Sequence, residues 1–568
     1  MENYYTADRK FYLENKDLQE IVRDLENDFQ DRNAEALHSY AEACAWYDMV
    51  LKNAGDICAN FIVPRAAAVD EQGPTYRDGL VSWAPETQEN MKVLSEAGYL
   101  GGTLPRRYGG LNLPVTVNTI IVEMVSQADA SLMNLFGLQD IAMTINKFGD
   151  ETQKTRVLPK FCTGEVSGSM ALTEPDAGSD LQAVSLRAIE KDGQWYLDGV
   201  KRFITNGCGE VSLVLARSEE GSKGGRGLSL FLYERYRDKN LIVRRIENKH
   251  GIHGSPTCEL QFNMAKAELV GRRKFGLIKY VMSLMNGARL AVAAQALGIA
   301  QAAFDEAVKY ANEREQFGHT IVHFPAVYQM LKKMQAEIET TRMLVYQTAW
   351  FVDLEDMYER RSQRGEDVRS ELKYANAMAG FLTPLTKFTA TEMANRAAYD
   401  AVQIHGGCGY MKDFPVERLA RDARITNIYE GTTQLQVVAA IGGVINNVLA
   451  QEWENLQKLN IKELSAEKER VLGFGEQLQA IVSEVTTVKD RDFHDYVANY
   501  LVAIASIAYR NVLFLPVAEQ FAGKRELFRF FLNESAVRID YLIARIRMLK
   551  KVYGVSIEEL KRAFVKGR

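Results

Sequence analysis

The spacing of apolar residues changes twice along this chain, and each change restricts the fold more tightly than composition does. Residues 1–165 carry apolar side chains at three- and four-residue intervals with charges between them, and long stretches lack Pro, which predicts helices. Near Gly164 that pattern stops. Between 166 and 275 come short runs at 186–190, 194–198 and 201–205, punctuated by Asp192-Gly193, Asp198-Gly199 and Asn206-Gly207. Such dipeptides reach positive φ at little cost and predict hairpins. Further strands are expected at 211–216 and 228–233, joined by the Gly-rich run 221–227. No helix follows that run, so it reads as a connector and not as a phosphate cradle. From about 280 helices return, at 288–317, 326–359 and 370–404, with Pro384 inside the last predicting a kink.

A chain of 568 residues exceeds a single core and implies three or four domains. We expect a mainly α protein with a small central β domain, divided as 1–165 helical, 166–275 β, 276–450 helical bundle and 451–568 an additional helical domain. This last part reads as helices at 456–489, 493–514 and 517–553, with a break near Ala522-Gly523. Leu501, Ile504, Ile507 and Phe514 give it an apolar face to bury against the body or another subunit. The run 500–516 contains Arg510 and Asn511 and is too short and polar to span a membrane, so a buried helix is expected. Residues 521–568 hold 12 basic and 5 acidic residues. Peripheral contact with anionic lipid is the lesser reading of that excess, because basic helix faces are ordinarily just solvated.

The net charge of −5 and a pI near 6.0 argue against nucleic acid as a partner. Six cysteines without paired spacing fit free thiols in a reducing compartment, and the polar start has no apolar core of a secretory signal. A cytoplasmic location is the expectation. With seven His and no ligand-spaced pair, no metal is expected, and His253 and His405 are assigned to packing or hydrogen bonding.

Chemistry concentrates in a few segments. Gln403-Ile-His-Gly406-Gly407 is followed by Arg421-Asp-Ala-Arg424 and then by Ile428-Tyr-Glu430-Gly431-Thr432-Thr-Gln434. Gly431, which directly follows the single carboxylate Glu430, leaves that carboxylate's surroundings open. Alone, Glu430 reads first as a surface acid capping a helix that begins near Thr432. Far upstream, Met170-Ala-Leu172-Thr173-Glu-Pro-Asp-Ala-Gly178-Ser179-Asp leads to Phe203-Ile204-Thr205-Asn-Gly, and the first of these alone would be a plain turn. The runs 98–110, 249–260, 285–289 and Arg314-Glu-Gln316-Phe317-Gly318 complete the set.

Taken in order, these segments resemble the acyl-CoA dehydrogenases, over roughly residues 80 to 445, and the variants look most like the long bacterial members with an added C-terminal helical domain. The resemblance implies an FAD enzyme that desaturates acyl-CoA thioesters and passes electrons to an electron-transfer flavoprotein, as a homodimer or homotetramer. It makes Glu430 the base for the α-proton and the Glu430 backbone N–H part of the site for the thioester oxygen. It assigns Met170, Leu172, Thr173, Gly178, Ser179, Phe203, Ile204 and Thr205 to the flavin, with Ser179 also near substrate. Phe203 replaces the commoner Trp and lacks its N–H donor. Arg314, Gln316 and Phe317 would clamp a neighbouring subunit's dinucleotide, as an Arg fork suits pyrophosphate. Pro325 stands where a polar Gln is usual and deletes one contact. Gln403, Gly406 and Gly407 match adenosine contacts, Thr432 and Gln434 cofactor contacts after the base, and Asn286, Arg289 and Gly431 substrate contacts. Asn286 replaces a commoner Asp. Ala288 stands where some members place an alternative base. An oxidase sharing the same base, and a nucleic-acid-binding relative, are the competing readings, the second opposed by the acidic pI.

Overall fold

The computed structural model describes residues 3–27 and 36–552. The expected helix end at 553 and the basic residues beyond it lie outside the described residues. Among the described residues nine α-helices come first: α1 (Ala7–Glu14), α2 (Gln19–Leu25), α3 (Tyr40–Ile57), α4 (Ala66–Gln72), α5 (Pro85–Glu96), α6 (Val115–Ala128), α7 (Ala130–Phe136), α8 (Asp140–Phe148) and α9 (Glu151–Cys162). A two-stranded hairpin, β1 (Thr75–Arg77) with β2 (Leu80–Ser82), interrupts what the spacing presents as wholly helical. Its turn is Asp78-Gly79, both at positive φ.

The central β region comprises β3 (Gly168–Ala171), β4 (Arg187–Lys191), β5 (Gln194–Thr205), β6 (Val211–Arg217), β7 (Leu228–Glu234), β8 (Leu241–Ile246) and β9 (Thr257–Leu269). Pairings β6–β4, β4–β5, β5–β9, β9–β7 and β7–β6 form a ring, so the sheet curls on itself and few edges stay open. One apolar set, including Leu197, Val214 and Phe262, fills the interior of the ring. The opposite faces, including Val211 and Leu213, pack on Ile141 of α8 and Val157 of α9.

Two turn assignments are corrected here. Asp198-Gly199 is no turn: β5 runs through it with a bulge, Gly199 sitting at φ 142° against Leu186, where an added Cβ would lie 3.1–3.3 Å from that residue. Asn206-Gly207 turns the chain but joins no hairpin. The Asn206 amide donates to Ser167 Oγ and to the Gly168 carbonyl, both at 3.0 Å, and so delivers the chain alongside β3, with which β6 pairs in parallel.

Long helices follow: α10 (Met282–Glu313), then the small hairpin β10 (Glu315–Gln316) and β11 (His319–Thr320), then α11 (Pro325–Gln363) and α12 (Arg369–His405). Pro384 does not interrupt α12. α13 (Pro415–Thr426), α14 (Thr433–Ile445), α15 (Ala450–Lys458), α16 (Ser465–Thr486), α17 (Arg491–Gln520) and α18 (Arg525–Val552) complete the described chain. The helix expected at 456–489 is divided, because Glu519 accepts from the backbone N–H groups of Lys462, Glu463 and Leu464 and fixes a bend there.

α17 is long and apolar enough to cross a membrane by composition, yet Leu501, Ile504, Ile507 and Phe514 are all buried against neighbouring helices. Several of its polar residues find partners inside the protein: Ser506 bonds Thr389 of α12 at 2.6 Å, and Arg510 pairs with Glu337 of α11 at 2.6 Å. One continuous apolar core therefore runs from α1 to α18, and the C-terminal helices are built into the body. The whole is mainly helical around a small central sheet.

Candidate active site

Where the sheet meets α7, α8 and α10 lies a cavity of about 140 Å³, open at its mouth. Met170, Leu172, Thr173 and Gly178 form one part of its wall, and Phe203, Ile204 and Thr205 another. Glu430 and Gly431 close the opposite side, beside Ala288, Ala291 and Val292 of α10 and Met133 and Leu138 from the N-terminal helices. Three distant stretches of sequence thus converge on one space.

The β wall is held from behind by a pair that sequence reasoning missed. Lys201 is fully buried and donates to the Leu172 carbonyl at 2.8 Å and to Glu174 at 2.9 Å. Glu174 in turn accepts from Ser185 and from the Leu186 backbone. Burial pulls the Lys201 ammonium down to about 8, with Glu174 opposing. Just beyond Lys201 the strand bulges: Phe203 takes φ 60°, a conformation unusual for a bulky residue, and the residue stays 55% exposed where it lines the cavity. An aromatic face kept open by strained backbone is a surface prepared for a flat ligand. Gly178 adds to it, since no atom lies within 4 Å of where its Cβ would be.

On the other wall Glu430 also adopts left-handed geometry, φ 53°, followed by Gly431 at 89°. Its carboxylate makes no hydrogen bond among the described residues, and Glu430 lines the cavity. Burial raises its pKa, against the charges of Lys387 and Arg289. A carboxylate in that state is a stronger base than an exposed one. Lys387, on α12 and fully buried, donates to the carbonyls of Tyr429 at 2.7 Å and Gly431 at 2.6 Å. Burial pulls its ammonium down to about 7, with Glu430 opposing. Gln436 donates to the Gly431 carbonyl at 2.8 Å and to that of Glu430 at 3.2 Å. The Tyr429 hydroxyl bonds Gln295 and Asn134, buried side chains joined to each other at 2.8 Å. Lys387, Gln295 and Asn134 carry no local sequence signal, since each reaches the segment through tertiary contact alone, whereas Gln436 reaches it from five and six positions along the chain.

Of the other expected residues, Arg289 is buried on α10, bonds Asn286 at 3.1 Å, and keeps its Nε unpartnered. Neither lines the cavity, though the Arg289 charge acts on Glu430. Ser179 is exposed next to Gly178 and also lies off the lining. Thr432 caps α14, accepting from the Leu435 N–H, and Gln434 is exposed. Arg314, Gln316 and Phe317 project on the β10–β11 hairpin, Phe317 being 91% exposed, and Gln403, Gly406 and Gly407 are exposed at the end of α12. The structure does not bring these six to the cavity of their own chain. His253 bonds Asp70 and the Lys249 carbonyl, and His405 stacks on Tyr310 at 4.2 Å. Among the described residues no cluster of metal-ligating side chains occurs.

Comparison with known proteins gives three family-model matches in order: the acyl-CoA dehydrogenase N-terminal domain over 47–165, the middle domain over 169–265 and the C-terminal domain over 278–441. An acyl-CoA dehydrogenase of Bacillus subtilis is 36% identical over 351 residues, covering 61% of this chain and 86% of that protein. The butyryl-CoA dehydrogenase structure from Megasphaera elsdenii matches at 32% identity and TM-score 0.60, covering 70% of this chain and 98% of that one. An acyl-CoA dehydrogenase from Bacillus anthracis, solved with FAD, matches at 23% identity and TM-score 0.77 over 91% of this chain and 90% of its own, so its fold takes in the C-terminal helices.

Proposed function

This chain belongs to the acyl-CoA dehydrogenase family, and on that premise we propose that it converts an acyl-CoA thioester to the trans-2-enoyl-CoA, with Glu430 removing the α-proton. Family membership makes it an oxidoreductase acting on CH–CH groups. The observation that carries the assignment of Glu430 is its place: a carboxylate free of hydrogen bonds, raised in pKa by burial, facing the exposed Phe203 across one cavity.

The β wall suits the family's cofactor, FAD, whose flat ring the open Phe203 face and the space above Gly178 would accommodate, with Leu172, Thr173, Ile204 and Thr205 along its edge. When bound, FAD supplies the acceptor for the hydride that leaves the β carbon. Glu430 takes the α-proton. The Glu430 backbone N–H, which has no acceptor among the described residues, meets the thioester oxygen as negative charge develops there. The apolar side chains of Met133, Leu138 and Ile141 exclude water from the acyl chain.

Two further parts of the reading concern partners. Arg314, Gln316 and Phe317, with Gln403, Gly406 and Gly407, reach the dinucleotide of a second subunit, an arrangement supported by the exposure of the whole 314–318 arm. Electrons leave to an electron-transfer flavoprotein.

The test is an anaerobic absorbance titration of the purified protein with acyl-CoAs of graded length. Flavin bleaching by one of them, absent in Glu430→Gln, supports the assignment. Bleaching of the variant at the native rate overturns it. Rapid reoxidation by air instead of by an electron-transfer flavoprotein would identify an oxidase.

A further inference from the structure

Three consecutive carbonyls around the proposed base are held by two buried side chains. Tyr429 and Gly431 accept from Lys387, and Glu430 and Gly431 accept from Gln436. Neither donor lines the cavity, so both pull from behind the segment. No peptide bond in the described chain is cis. In a trans peptide the carbonyl and the N–H of one unit point in opposite directions. A Tyr429 carbonyl fixed on Lys387 therefore sends the Glu430 N–H away from Lys387, toward the cavity side. Glu430 at φ 53° and Gly431 at φ 89° keep the segment out of the helix that begins at Thr433. The backbone N–H groups of Glu430, Gly431 and Thr432 all lack an acceptor among the described residues.

We propose that Lys387 is the positioning residue of the oxyanion site: by holding and polarising the Tyr429 and Gly431 carbonyls it aims the Glu430 N–H at the thioester oxygen and strengthens it as a donor. This rests on the proposed function above. Hydrogen bonds in series polarise one another, so Lys387 on the carbonyl increases the pull of the N–H on the other side of the same peptide, most strongly while it is protonated, toward pH values below about 7. The same cation limits how far burial raises the pKa of Glu430, standing first among the charges that oppose it. One buried side chain thus serves both the base and the oxygen site without touching substrate.

A structural role alone predicts a different outcome, so the test reads the bound carbonyl directly. In the FAD-loaded protein, trans-2-enoyl-CoA labelled with carbon-13 at the thioester carbonyl is bound and its stretching band recorded by difference infrared spectroscopy. The native protein is expected to lower that band relative to free ligand. Lys387→Met moves it back toward the free position and lowers kcat about 10–100-fold with KM little changed, less than the roughly 10²–10³ lost when an oxyanion donor is removed outright. Its kcat–pH profile shifts to higher pH, because Glu430 loses an opposing charge. Lys387→Arg restores band and rate. Lys387→Gln keeps a donor but drops the charge, and shifts the band part of the way even where Lys387→Met does not fold.

An unmoved band in folded Lys387→Met or Lys387→Gln overturns the proposal, whatever happens to the melting temperature. The product complex does not turn over, so this failure is separable from failure of Glu430 as base, which the Glu430→Gln titration reports.

Discussion

Glu430 and Glu123 are both glutamates held deep in this protein, and their surroundings push them in opposite directions. Glu123, on α6, is fully buried and saturated. Arg9 of α1 donates to it at 2.7 and 3.1 Å, Arg342 of α11 at 3.1 Å, and the Tyr346 hydroxyl at 2.6 Å. Burial alone would raise its pKa, but Arg342 and Arg9 overcome that and hold it down to about 2. Glu430 has its two cations near but not in contact. Lys387 spends its hydrogen bonds on backbone carbonyls, and Arg289 spends one on Asn286. Burial then wins, and the pKa rises. A buried carboxylate becomes a staple or a base according to whether its cations are allowed to touch it.

The sharpest way to break this comparison is Glu430→Gln. Removing a general base costs roughly 10²–10⁴ in rate, while the stability consequence runs the other way from intuition. A folded-state pKa raised above its unfolded value contributes stability below the unfolded pKa, and that contribution is lost as pH rises through the folded value. At neutral pH the ionised Glu430 is therefore a liability, and the Gln variant is expected to melt no lower than native protein, and higher at pH 8 than at pH 5 relative to it. Melting curves beside anaerobic turnover check both halves. A variant that is inactive and also strongly destabilised at pH 8 would show Glu430 to be structural.

Glu123→Gln is the mirror experiment. It leaves Arg9 and Arg342 buried without a counter-charge, and breaking such a pair costs about 3–5 kcal/mol. The lowered pKa sets the native pH window too: the contribution of Glu123 is present above its unfolded value of 4.5 and disappears as pH falls toward about 2. Denaturant unfolding of native and variant protein is expected to converge at the acid end. Turnover per folded molecule should stay native, because the Glu123 cluster lies outside the cavity.

The two sites were not equally legible in the sequence. The helical and β stretches could be read from apolar spacing, and so could the mainly helical class with its small sheet. Glu430 was conspicuous because Gly431 and the threonines follow it directly. Lys387 was invisible. It sits mid-helix on α12, and its partners are 42 and 44 positions away. Lys201 was hidden for the same reason, its contact to Leu172 spanning 29 positions. The Arg9–Glu123–Arg342 cluster joins three helices and leaves no spacing to detect. Turn dipeptides misled at Gly199 and at Asn206 because tertiary contacts, with Leu186 and with Ser167, decide what the permissive backbone does there.

A smaller effect sharpens the contrast on the base's own side. Tyr429→Phe removes the hydroxyl that Gln295 and Asn134 accept from, leaving buried acceptors short of a donor at a cost of about 1–3 kcal/mol. Lys387 and Gln436 still hold the backbone of 429–431, so kcat is expected to fall less than tenfold. A loss as large as that of Glu430→Gln would mean that the tyrosine, and not the lysine, positions the segment.

The smallest effect separates distance from burial. Arg547 on α18 approaches Glu484 on α16 at 2.5 Å, as close as any contact Glu123 makes, yet the two side chains are 54% and 36% exposed. Water and salt screen such a pair, and ordering two long side chains offsets most of the attraction, so exposed pairs contribute about 0.2–1 kcal/mol. Arg547→Ala is accordingly expected to lower stability by less than about 1 kcal/mol, with the difference from native protein shrinking further as salt is added. Denaturant titrations at low and high ionic strength measure it. If Arg547→Ala cost as much as Glu123→Gln, contact distance alone would govern these carboxylates, and the contrast between Glu123 and Glu430 would need another cause than the burial of their partners.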